Sequence, residues 1–81
     1  MITKEQLNFV EHPILEGAYD RAEVKLGNKY EVSILKSKQA KTPLYELGII
    51  DKRKRGAPIE IVPANTLNEV LAIIRDFEER E

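Results

Sequence analysis

The chain has no cysteine, no tryptophan and one histidine. Without cysteine there is no disulfide framework, no thiolate zinc site and no cysteine nucleophile. That absence fits a reducing compartment. Glycine is scarce as well. Gly27, Gly48 and Gly56 stand alone and none opens a helix, so no phosphate-cradling loop is expected. No apolar run is long enough to span a membrane, and the start shows no signal-peptide pattern.

The composition is 42% hydrophobic and 33% charged, which suits a soluble globular fold. At 81 residues it is one domain with a thin core. The formal net charge of -1 hides an uneven distribution. Residues 1–35 carry four cations and six anions; residues 36–56 carry seven and two; residues 57–81 carry two and six. A basic middle lies between acidic ends.

TKEQLNFVEHP (3–13) predicts a short helix. Thr3 and Gln6 have capping-box spacing, Leu7 and Val10 share a face, and Pro13 should stop the helix near Glu11. Gly17 then opens a turn. From Ala22 the apolar residues alternate. Ala22, Val24 and Leu26 form one strand; Tyr30, Val32 and Ile34 form the next. A two-residue turn at Gly27-Asn28 would set Val24 against Glu31. A three-residue connection instead pairs Leu26 with Tyr30, Val24 with Val32 and Ala22 with Ile34, with Asn28 or Lys29 in the left-handed region. After the polar loop 36–43, Tyr45, Leu47 and Ile49 are expected opposite Ile34, Val32 and Tyr30. Beyond DKRKRG (51–56), Ile59 and Ile61 are expected opposite Ile49 and Leu47. Pro58 and Pro63 mark that last strand as an edge.

ANTLNEVLAIIRDFEERE (64–81) is the clearest helix. Thr66 is its N-cap and Glu69 completes a capping box. Leu67, Val70, Leu71, Ile74 and Phe77 recur at helical spacing and should supply about half of one small core. The predicted fold is α+β in a single domain: a short N-terminal helix and turn (1–17), a four-stranded antiparallel β-meander in the order 1-2-3-4 (18–63), and a C-terminal α-helix packed on one sheet face (64–81).

YEVSIL in the hairpin, LYELGIID in the next strand, a polar turn and NEVLAII in the final helix together resemble a diffuse group of small phage- and prophage-encoded proteins. The likeness covers the layout of residues 18–77. DKRKRG departs from the neutral or acidic Asp-Gly-type turn more usual in that group. The resemblance implies a phage-type accessory protein in the cytoplasm of a bacterial host, and it carries over no functional residue.

Few residues suggest chemistry. His12 would need ligands such as Glu11 and Glu16 to hold a metal, and a three- or four-ligand set is not evident. Ser33 lies mid-strand on the outer face, and nothing in the sequence places His12 beside it as a base. No enzyme activity and no cofactor are expected. DKRKRG could touch phosphates through Lys52, Arg53, Lys54 and Arg55, or be the solvated tip of a hairpin. The other basic cluster, Lys36, Lys38 and Lys41, should lie at the far end of the third strand, roughly 26 Å away at about 3.3 Å per residue. Tyr30 and Tyr45 are expected on the core face, away from stacking bases.

The expected register also gives the sheet an acidic open face. Glu23, Glu31, Glu46, Gly48 and Glu60 lie on it, Lys25 is the one counter-charge, and Leu35, Leu44, Ile50 and Val62 frame it. Such a face suits docking of a basic protein partner, by charge complementarity, with bare Gly48 admitting close approach. Together with the phage-type resemblance, which implies a host or defence protein as the target, docking through this face is the expected function, and nucleic-acid binding through Lys52–Arg55 is the alternative. No membrane partner is expected. A homodimer through the first strand's free edge or the N-terminal helix stays open, whereas one through the acidic face would juxtapose carboxylates.

Overall fold

A computed structural model describes residues 2–14, 17–39, 42–54 and 59–81. Glu16, Lys41, Arg55, Gly56 and Pro58, which enter the sequence reading, lie outside the described residues. Five strands form one antiparallel sheet in sequence order: β1 (Val10–Glu11), β2 (Tyr19–Lys25), β3 (Tyr30–Ser37), β4 (Tyr45–Asp51) and β5 (Ile59–Ala64). One helix, α1 (Leu67–Glu79), follows. The α+β class and the meander hold, with one strand more than expected. No helix among the described residues is long and apolar enough to cross a membrane, which leaves strand-built barrels unaddressed.

The expected N-terminal helix is absent. A single 3-10 turn, Lys4–Gln6, stands in its place, and Leu7 is already extended. Gln6 Oε1 accepts from Thr3 N at 2.8 Å, so the capping signal is real but nucleates only one turn. The apolar residues explain why. Leu7 is buried and Phe9 packs on the core two residues later, whereas Val10 is 55% exposed. That is strand periodicity. Val10 and Glu11 join β2 opposite Arg21 and Asp20, and His12 N donates to Tyr19 O. The segment is thus docked, with Ile2 N also donating to Glu78 Oε1 at 3.2 Å.

The β2–β3 hairpin has the expected register, Val24 opposite Val32 and Ala22 opposite Ile34. Its left-handed residue is Gly27, at φ 105°, rather than Asn28 or Lys29. Between β3 and β4 the register is displaced by two residues, with Ile34 opposite Leu47, Val32 opposite Ile49 and Lys36 opposite Tyr45. An even displacement preserves every face. The strand runs past Ile34 to Ser37, and Lys36 Nζ lies 6.0 Å from the Phe9 ring centre.

Between β4 and β5 the displacement is one residue, and it reverses β5. Leu47 faces Val62, Gly48 faces Ile61 and Ile49 faces Glu60. Ser37 N donates to Leu44 O, so by antiparallel alternation residues 45, 47 and 49 direct their backbone groups toward β5. In the expected register Pro63 would oppose Tyr45 and leave its carbonyl without a donor. In the observed one Ala64 opposes Tyr45, and Pro63 turns its missing N–H to the free edge.

The core lies between the sheet and α1. Val32, Ile34, Leu47, Val70 and Ile74 are its most deeply buried side chains, each contributing about 1.5–3 kcal/mol. Among the described residues the helix supplies Val70, Leu71, Ile74 and Phe77, four of fourteen buried hydrophobic residues and so less than half. Thr66 caps it by accepting from Glu69 N at 3.1 Å, and Glu69 Oε2 reaches back to Asn65 N.

Candidate functional site

The sheet face opposite α1 is composed of cross-strand rows. Arg21, Leu35, Glu46 and Pro63 form one row; Glu23, Ser33, Gly48 and Ile61 form the next; Lys25, Glu31 and Ile50 belong to a third. Of the expected site residues, Glu23, Glu31, Glu46 and Gly48 do share this face. Glu60 does not, because reversal of β5 puts it opposite Ile49, on the core side. Val62 and Leu44 likewise pack against the core instead of framing the face. Glu31 faces Ile50, and Ser33 faces Gly48. The face is therefore amphiphilic, with an apolar strip (Leu35, Ile50, Ile61, Pro63) beside its carboxylates. Ile61 is 58% exposed.

One ion pair is formed on this face among the described residues. Arg21 Nη2 donates to Glu23 Oε1, while Arg21 Nε is buried with no hydrogen-bond partner among the described residues. Lys25 stands opposite Glu31 in register, but the two side chains form no ion pair. Glu46 stands between Leu35 and Pro63, and no hydrogen bond or ion pair engages its side chain among the described residues. A groove of about 250 Å³ opens here, lined by His12, Arg21, Ser33, Leu35, Glu46, Gly48 and Ile61.

His12 and Ser33 thus meet at one groove, which the sequence did not suggest. His12 Nδ1 accepts from Ile14 N at 3.1 Å, so in the neutral ring Nε2 carries the proton. Ser37 is buried and occupied locally, donating to Gln39 O at 2.7 Å.

The basic turn sits at one end of the sheet and Lys36 and Lys38 at the other, as expected. Arg53 folds back on Asp51. Its Nε donates to Oδ1 at 3.0 Å and its Nη2 to Oδ2 at 2.8 Å. These bonds hold the Asp51 carboxyl down at about 2. The Arg53 guanidinium also lies 5.7 Å from the Tyr30 ring centre. Lys52 Nζ donates to Gly27 O at 2.7 Å, and Lys29 Nζ to Arg80 O at 2.9 Å. Glu81 completes the network by accepting from Lys29 N and Tyr30 N. No sequence motif announces this closure of the chain's last residue on the hairpin turn. In the described part of the run only the Lys54 side chain makes no hydrogen bond or ion pair, although its charge helps hold Asp51 ionised. With Tyr30, Ile49, Asp51, Glu60, Phe77 and Arg80 it lines a hollow of about 320 Å³, which carries charges of both signs.

No protein-family model, curated protein or solved structure matches the chain.

Proposed function

We propose that the protein is a non-enzymatic binding module that docks on another protein through the open sheet face. One observation carries this reading: α1 covers one face only, and the other presents exposed Ile61 beside bare Gly48 and unengaged Glu46. An apolar centre flanked by charge is the composition of a recognition surface, and a glycine in mid-strand lets another chain approach the backbone. The layout resemblance suggests a phage-type accessory acting on a host or defence protein.

A photo-reactive side chain at position 61 tests this, with one at Ala72 on the exposed side of α1 as control. One discrete protein crosslinked from nuclease-treated bacterial lysate at 61 and not at 72 is expected. Equal crosslinking at both positions, or none at 61, would sink the docking face.

Nucleic-acid binding through Lys52, Arg53, Lys54 and Arg55 is the second reading, favoured by the convergence of Lys29 with the described part of that run. Intramolecular bonds already hold Lys29, Lys52 and Arg53. Retention of nucleic acid that falls steeply with salt and is lost on Lys54→Ser would favour it.

A further inference from the structure

We infer that the groove beside Gly48 receives a cationic side chain, arginine or lysine, projecting from an apolar stretch of the partner protein. This inference rests on the docking-face reading and specifies its occupant. The face carries Arg21, Lys25, Glu23, Glu31 and Glu46. Arg21 is bound to Glu23, and Lys25 stands opposite Glu31. Glu46 is the carboxylate that lines the groove, and no hydrogen bond or ion pair engages it among the described residues. Its cross-strand neighbours, Leu35 and Pro63, are apolar and cannot neutralise it.

The groove's shape fits the same guest. Leu35 and Ile61 give it aliphatic walls, and Gly48 contributes no side chain. A long aliphatic stem can lie along those walls while its charged head reaches Glu46, since lysine and arginine bury their stems and keep the head polar. Arginine is the better match, because its planar fork can engage both carboxylate oxygens. The partner's flanking apolar residues would then cover Ile50 and Ile61. Arg21 also lines the groove, but its charge is already answered by Glu23, so it does not repel the guest as a free cation would.

Amide NMR titration with three capped pentapeptides tests the assignment: Ac-Ala-Ile-Arg-Ile-Ala-NH2 and the same peptide with citrulline or glutamate in the centre. The arginine peptide should shift the amides of Ser33, Leu35, Gly48 and Ile61. The citrulline and glutamate peptides should bind at least about tenfold more weakly, a difference of 1.4 kcal/mol. Glu46→Gln should abolish the preference for arginine, and Glu31→Gln should leave it. Equal binding of arginine and citrulline peptides, preference for glutamate, absence of shifts at these amides, or an unchanged preference in Glu46→Gln would overturn the inference. The two readings fail separately. Crosslinking at position 61 that survives Glu46→Gln undiminished leaves the docking face standing and removes its cationic guest. Loss of crosslinking specificity at 61 removes the face itself.

Discussion

The basic turn and the open sheet face pose opposite problems. The turn has conspicuous charge that the fold consumes. Arg53 is clamped by Asp51, and Lys52 and Lys29 bond to backbone carbonyls. The open face is quiet in sequence, yet it holds a carboxylate that no hydrogen bond or ion pair engages among the described residues, and an exposed isoleucine. A run of like charges is therefore a poor guide to what is available for binding. Availability depends on whether the fold has already satisfied the groups.

The two faces of the sheet can be set against each other with one residue type. Ile49→Ala on the core side should cost about 2–5 kcal/mol in denaturant unfolding, because Ile49 is buried. Ile61→Ala, across the sheet, should stay within about 0.5 kcal/mol. Comparable losses would mean that Ile61 has a structural partner.

The basic end can be opened at Gly27. A Cβ there would meet Glu81 Oε1 at 2.8 Å, in a backbone conformation with φ of 105°. Glu81 can move, but the backbone strain remains, so Gly27→Ala should cost about 1–3 kcal/mol. A change near zero would show that the turn relaxes freely.

A smaller effect is expected on titration. The Asp51 carboxyl is depressed from 3.8 to about 2, chiefly by the Arg53 side chain. Its contribution to stability is therefore complete above the unfolded value and lost as pH falls through about 2. Arg53→Ser should bring the carboxyl carbon midpoint in NMR back toward 3.8. A midpoint near 2 in that variant would show that another group holds the carboxylate.

Much of this architecture is legible in the residues. Alternation around Gly27 fixes the first hairpin, and Thr66 with Glu69 fixes the start of α1. Two elements mislead for physical reasons. Thr3 and Gln6 signal a helix start, but Leu7 and Phe9 continue at strand spacing, so tertiary packing prevails over a local cap. Ile59 and Ile61 invite an inward assignment, but Pro63 needs the edge, and its missing donor decides the face of the whole strand. That clue lay in the sequence, in the hydrogen-bond alternation rather than the hydrophobic pattern. Four of the five expected face residues survive this correction, and Glu60 is the one lost. The clasp of Glu81 on Lys29 and Tyr30 joins residues too distant in sequence for any local pattern to reveal.

The most direct test compares partner capture by Ile61→Asp and Arg53→Ser, after nuclease treatment and with folding of both variants verified. Loss of capture by about tenfold or more in Ile61→Asp, with Arg53→Ser near wild type, is the predicted result. Capture retained by Ile61→Asp and lost in Arg53→Ser would contradict the docking face and return the function to the basic turn.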